Sequence, residues 1–242
     1  MITAAIYDDE AFFKNYIELR RRQNCYNNLI EQPNLLKMIG SIKGKSVLDV
    51  GCGFGALTIA LSKLGPKRII GIDNSERMLE MAMKINVAEN VEYRKLDAES
   101  IDTVNEKFDV VCSSLTFHYV DDFSSLTKNI YNLLNRRGQL IFSQEHPILT
   151  AGEMGVRVSN LSEGIEIKNY SRDGERRVMW LGKEIIKYHR KFSTIVNTLE
   201  ENGFKIIEIA EPVPSLDLID ENKEMLTELQ RPSYLMVKAC KE

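Results

Sequence analysis

The chain has 242 residues, 43% of them hydrophobic and 28% charged, with a formal net charge of −3. That is enough sequence for one α/β domain with additions around a buried core, and the slightly acidic balance gives no electrostatic case for a nucleic-acid partner. No apolar run approaches the roughly 20 residues of a membrane-spanning helix. Asp8, Asp9 and Glu10 do not resemble a secretory signal, and Cys25, Cys52, Cys112 and Cys240 show no C-x-x-C spacing. The expectation is a reducing, cytoplasmic setting without a zinc site or disulfide framework.

In chain order, a helix is predicted near 8–22. Its apolar stripe is Phe12, Phe13, Tyr16 and Ile17, and Arg20 falls on that stripe while Arg21 and Arg22 turn away. A charge on an inward stripe needs a partner, so Arg20 is expected to meet a carboxylate of a ligand. Strands are predicted at 46–50, 68–73, 91–96, 108–113 and 138–143. Helices fall between them at 55–63, 75–86, 98–104 and 122–136, the last capped by Asp121 or Asp122. Strand–helix alternation at this spacing means a doubly wound parallel sheet whose ligands gather at the carboxyl ends of the strands. Residues 1–43 read as a helical lid and 44–242 as the ligand-binding domain. A polar insertion at about 144–189 breaks the pattern and is expected to roof the site. It carries an Asp173-Gly174 turn signal between strand-like pieces 165–170 and 177–181. A helix at 190–202, a charged helix near 221–231 and two strands, 205–210 and 234–239, complete the chain.

The most informative stretch is Asp49-Val50-Gly51-Cys52-Gly53-Phe54-Gly55, with Asp73 eighteen residues beyond Gly55. Glycines after a strand let the backbone approach a ligand, and an acid closing the next strand suits the two hydroxyls of a ribose. A nucleoside cofactor follows. Gly51, Gly53 and Ala56 also satisfy the dinucleotide fingerprint, which leaves an NAD(P)-dependent oxidoreductase or epimerase as the alternative. Such an enzyme would want a Tyr-x-x-x-Lys type pair.

Three features at consecutive strand ends, Asp49 to Gly55, Asp73-Asn74-Ser75 and Leu96-Asp97-Ala98, together resemble the class I S-adenosylmethionine-dependent methyltransferases of the small-molecule branch. The resemblance implies a Rossmann-like, seven-stranded, mostly parallel sheet with helices on both faces and a reversed final strand pair. It implies S-adenosylmethionine as cofactor and S-adenosylhomocysteine as product. Gly51, Cys52, Gly53 and Gly55 would form the loop beneath the methionine, with Asp49 organising that loop and the cofactor's amino group. Asp73 would take the ribose hydroxyls, Asn74 and Met78 would flank the adenine, and Asp97 with Ala98 would meet its edge. Ser113 and Ser114 would line the methionine side, and Arg20 would meet the carboxylate of the methionine or of the acceptor. No Asn/Asp-Pro-Pro-Tyr/Phe sequence follows the fourth strand, which disfavours methylases of exocyclic amines in DNA and of glutamine.

On the acceptor side, His118, His146 and His189 all map to one rim, and Glu145 and Tyr188 adjoin two of them. Histidine titrates near neutrality and can take a proton from a hydroxyl or amine as a methyl group arrives. His146, His189, Tyr188, His118 and Glu145 are therefore the catalytic candidates. A small-molecule acceptor is expected, methylated on O or N, with no metal, no nucleic acid and no membrane partner. A protein or RNA acceptor is the remaining alternative.

Overall fold

The computed structural model describes residues 6–151 and 167–242. It opens with α1 (Glu10–Arg21), a π-helical turn (Asn27–Glu31) and α2 (Gln32–Ile39). Alternation follows as β1 (Ser46–Val50), α3 (Ala56–Ser62), β2 (Arg68–Asp73), α4 (Glu76–Ile85), β3 (Val91–Lys95), a 3-10 segment (Ala98–Thr103), β4 (Phe108–Ser114), α5 (Phe123–Leu133) and β5 (Leu134–Glu145). Next come α6 (Pro147–Ala151), β6 (Gly174–Trp180), β7 (Lys183–His189), α7 (Phe192–Glu201), β8 (Phe204–Ala210), α8 (Leu216–Glu221), α9 (Thr227–Gln230) and β9 (Tyr234–Lys241).

Seven strands form one sheet in the order β3-β2-β1-β4-β5-β9-β8, while β6 and β7 make a separate hairpin. Strands β1 to β5 run parallel, and β9 is antiparallel to both β5 and β8. Neighbouring residues of one strand feed opposite faces. Leu48 and Val50 join Val111, Phe142, Ile130 and Leu199 on one side, and Val47 joins Leu57, Leu35 and Ile141 on the other. A central strand buried on both faces reads as a continuous apolar run, which is why Ser46–Val50 shows no polar alternation. Of the segment expected as a lid, α2 packs into this second core through Leu35, Met38 and Ile39.

Four expectations change. The helix expected to reach Arg136 stops at Leu133, because Leu134 is already pairing with Phe108 as the start of β5. The hairpin turn is not Asp173-Gly174 but Leu181 (φ 48°) and Gly182 (φ 83°). Two left-handed residues match the twist of the flanking strands. Gly174 instead opens β6 opposite His189, and the Asp173 carboxylate accepts from the Lys191 amide at 3.0 Å and the Thr194 hydroxyl at 2.6 Å. The expected strand at 165–170 is absent over 167–170, with 165 and 166 outside the described residues. The charged helix resolves into α8, a 3-10 turn and α9.

The hairpin and α1 meet above the carboxyl ends of the strands. Phe12, fully buried, contacts Trp180 and Tyr7 edge-to-face at 5.5 and 5.3 Å, and Val178 and Ile185 complete that cluster. Asp9 caps α1 by accepting from the Phe12 amide, and its other oxygen meets Lys183 of the hairpin at 2.9 Å. Asp8 reaches the start of α4, accepting from the Ser75 hydroxyl at 2.7 Å and the Arg77 amide at 3.1 Å.

Candidate active site

A cavity of about 280 Å³ lies between the strand ends and this cover. Its first wall is the β1–α3 loop, where Gly51, Gly53 and Gly55 all have positive φ. The glycines differ in what they exclude. A Cβ on Gly55 would lie 2.3 Å from the Tyr93 hydroxyl, whereas a Cβ on Gly53 would meet nothing nearer than Met78 Sδ at 4.0 Å. Gly53 therefore keeps space for a ligand, and Gly55 keeps space for the protein.

Asp73 closes β2 and lines the cavity. Its oxygens accept from the amides of Gly53 (2.8 Å) and Ser75 (2.9 Å), and burial raises its carboxyl while those amides oppose the rise. Asn74 donates to Asp97 at 3.1 Å, and both line the wall with Met78, Leu96, Ala98 and Glu99. The structure thus brings Gly51, Gly53, Asp73, Asn74, Met78, Asp97, Ala98, Ser114 and Arg20 to one cavity.

Asp49, Cys52, Gly55 and Ser113 do not line it. Asp49 is fully buried behind the loop and accepts from the Thr58 hydroxyl of α3 at 2.6 Å, which ties the loop to the helix. Burial pushes its carboxyl up to about 7 against that hydrogen bond. Ser113 donates to the Val50 carbonyl, and the buried Cys52 sulfur packs toward Gly71. These residues hold the wall from outside.

Arg20 enters the cavity from α1. It lies 5.5 Å from the Phe54 ring centroid, its terminal nitrogens make long contacts to Tyr16 (3.5 Å) and Asn28 (3.4 Å), and its Nε is buried without a partner. Glu31, 1% exposed, accepts from Ser114 at 3.0 Å and from Ser143, and keeps Oε2 without a partner. The unpartnered Arg20 Nε at the cavity wall calls for a ligand that satisfies it. The carboxylate of an amino-acid end fits Arg20, as a nucleoside fits Asp73 and the adjoining wall.

The far end holds His118, Tyr119, Glu145, Leu149, Trp180, Tyr188, Ser233 and Tyr234, with Tyr7 and Tyr16 above. Glu145 is ion-paired with Lys187, which is 1% exposed and lies 5.6 and 5.3 Å from the Tyr119 and Trp180 ring centroids. Burial raises the Glu145 carboxyl, but the Lys187 ammonium outweighs it and holds the group below its ordinary range. Arg190, next to His189, donates to the carbonyls of Phe117, Val120 and Asp121.

The histidines divide. His118 lines the cavity, and its Nδ1 accepts from the Glu145 amide at 3.4 Å, which assigns the ring proton to Nε2. Burial pushes its pKa down to about 3, against the pull of Glu145, so it is neutral across the physiological range. His146 and His189 do not line the cavity. His146 pairs with Glu211 at 2.8 Å and accepts from the Ile148 amide; His189 meets the Thr150 hydroxyl at 2.8 Å and the Tyr170 carbonyl at 2.9 Å. With both ring nitrogens engaged, neither offers a free base.

Sequence reasoning missed Tyr7, Tyr16, Thr116, Tyr119, Trp180 and Tyr234 as cavity residues, and Lys187 beneath them. Lys187 carried a signal: a lysine inside the apolar run Ile185-Ile186-Lys187 of a strand. The Tyr-x-x-x-Lys spacing of the dinucleotide alternative does occur, at Tyr234 and Lys238. Both lie on β9, and Lys238 donates to the Met38 carbonyl at 2.9 Å, so the two form no dyad. Among the described residues no cluster of metal-ligating side chains is present.

Residues 48–142 match the family model described as a methyltransferase domain. An uncharacterized protein of Haemophilus influenzae is 34% identical over 98% of this chain and 97% of its own. The solved structure of an S-adenosylmethionine-dependent methyltransferase from Mesorhizobium loti superposes with a TM-score of 0.79 at 30% identity, covering 92% of this chain and all of that one. One from Listeria monocytogenes, given the same assignment, matches at 0.79 and 35% identity over 88% of this chain and 96% of its own. With the sheet order, the glycine loop and Asp73 in one cavity, these likenesses place the chain in the class I S-adenosylmethionine-dependent methyltransferases, enzymes whose cofactor is S-adenosylmethionine.

Proposed function

We propose that the protein transfers a methyl group from S-adenosylmethionine to an oxygen or nitrogen of a small molecule by in-line displacement. The observation that carries this reading is the continuity of one cavity, from Asp73 and Asp97 at one end to Glu145 and Tyr119 at the other. Bound there, the cofactor supplies a methyl group activated by a sulfonium. In this reading Asp73 holds the ribose hydroxyls, Asn74 and Met78 flank the adenine, Asp97 and Ala98 take its edge, and Gly53 leaves room beneath the methionine. Arg20 meets the methionine carboxylate, which satisfies its unpartnered Nε.

Such a displacement gains mainly from alignment of the reacting atoms and exclusion of water. Trp180, Tyr7 and Tyr16 cover the far end and supply both. The cavity size favours a small acceptor over a polymer. A cytoplasmic location is supported by the free thiols of Cys25, Cys52, Cys112 and Cys240. Among the described residues no helix is long and apolar enough to cross a membrane.

Calorimetric titration with S-adenosylmethionine, S-adenosylhomocysteine and NADH tests the reading. Binding of both sulfur nucleosides, weakened about 100-fold or more in Asp73→Ala, is expected, since a carboxylate accepting two hydroxyls is lost along with its loop contact. Binding of NADH in their place would overturn it.

A further inference from the structure

Resting on that reading, we propose that the methyl acceptor is an amine, a primary or secondary nitrogen seated at the Glu145 carboxylate among Tyr7, Tyr16, Tyr119 and Trp180. Four carboxylates line the cavity (Asp73, Asp97, Glu99 and Glu145), and among the described residues Arg20 is the one lysine or arginine that does. Arg20 stands toward Phe54 and Asn28, at the glycine-loop end, and meets the acceptor end only through a long 3.5 Å contact to the Tyr16 hydroxyl. The acceptor end therefore presents an acid and aromatic rings to its guest. A carboxylate or phosphate ester precursor would face like charge there, whereas an amine meets an acceptor for each N–H.

The wall already shows what this end holds. The Lys187 ammonium sits against the Glu145 carboxylate and within 6 Å of the Tyr119 and Trp180 ring centroids, the arrangement by which aromatic rings and an acid hold a cation. Lys187 engages Oε1, and Oε2 is buried with no hydrogen-bond partner. Rotation about the last bond of the side chain, which is a soft torsion, brings a carboxylate oxygen to a second N–H donor. His118 cannot compete for that role as a base, because its Nδ1 is engaged by the Glu145 amide.

The direction of charge flow agrees. The nitrogen lone pair forms the N–C bond as the C–S bond breaks, its electron pair remaining on sulfur as a neutral thioether. Positive charge thus moves from sulfur to nitrogen, toward Glu145 and the rings, which stabilise it more as the bond forms. The surplus N–H proton then passes from the product ammonium to solvent, and no other co-reactant is needed. A phenol would react as its phenolate, whose negative charge would have to sit beside the Glu145 carboxylate before the bond forms.

Trp180 is the only tryptophan of the chain, so its fluorescence reports on this end alone. The experiment titrates benzylamine, benzyl alcohol and benzoate into the full chain saturated with S-adenosylhomocysteine, with saturation first verified by calorimetry. Benzylamine is expected to bind about tenfold more tightly than benzyl alcohol and benzoate more weakly than either. Glu145→Gln should abolish the preference while leaving S-adenosylhomocysteine affinity in place, and Lys187→Met should tighten benzylamine severalfold by removing its internal competitor. Equal or tighter binding of the alcohol or benzoate, no Trp180 response to benzylamine, or weaker benzylamine binding in Lys187→Met would overturn the amine assignment. Failure of the nucleoside itself to bind would instead overturn the cofactor reading, so the two failures are distinct.

Discussion

The two ends of the cavity are built differently. At the cofactor end the wall is backbone and short side chains that follow β1, β2 and β3 within a few residues, and its polar atoms are largely satisfied by one another, as Asp73 is by the amides of Gly53 and Ser75. At the acceptor end the wall comes from α1, the 3-10 turn after β4, the end of β5, the hairpin and the approach to β9, and it is aromatic, with a buried ion pair at its base. The first end is a property of the strand–loop–helix unit and is shared wherever that unit is used. The second exists only when five distant segments meet.

After the loss expected for Asp73→Ala, the largest effect separates the ends through a glycine. Gly53→Ala places a methyl group in ligand space rather than against protein atoms. S-adenosylhomocysteine affinity should fall by about 30-fold or more, while the positive φ of Gly53 adds a cost to the fold of about 1–2 kcal/mol. Calorimetry beside thermal melting reads both; a variant that melts far lower yet still binds would show that the loop serves packing instead.

Arg20 bridges the regions, coming from the acceptor-end cover but standing at the glycine loop. Arg20→Met keeps the stem's packing and removes the charge, and should weaken S-adenosylhomocysteine about tenfold with a melting temperature close to that of the parent. Unchanged affinity would remove the residue from the cofactor's contacts.

The smallest effect is a pH dependence of stability. The folded pKa of His118, about 3, lies below its ordinary 6.5. Between these values the unfolded chain binds a proton that the folded chain does not, so the stability this neutral histidine permits is present above pH 6.5 and is lost as pH falls toward 3. Asp49 runs the other way, its carboxyl raised from 3.8 to about 7. Its contribution is full below pH 3.8 and lost as pH rises through 7. His118→Gln should therefore flatten the acid limb of the melting-temperature profile relative to the parent, and an unaltered limb would mean that His118 is not held neutral.

The contrast between the ends also explains what the sequence disclosed. The glycine loop, Asp73-Asn74 and Asp97-Ala98 are contiguous, each bound by local geometry to a strand end, so their meeting follows from the alternation of strands and helices. Arg20 was legible because one charge interrupted one stripe. Tyr7, Trp180 and Tyr234 carried no such mark: an aromatic residue reads equally well as core, and which rings meet depends on how the hairpin folds back. The turn at Leu181-Gly182 lay eight residues from the stronger Asp173-Gly174 signal, because Asp173 was needed to hold the start of α7. Histidine attracted attention for its titration, yet His146 and His189 spend both ring nitrogens on α6 and its neighbours. Reactivity in solution says little about a ring whose lone pairs are occupied.

Ser75 sits where the two regions touch. Its amide binds Asp73, its hydroxyl accepts from the Met78 amide, and the same hydroxyl donates to Asp8 ahead of α1. Linkage is reciprocal: whatever this contact adds to nucleoside affinity, the nucleoside returns as stability of the first helix. The order of Asp8 and α1 then tracks the supply of methyl donor.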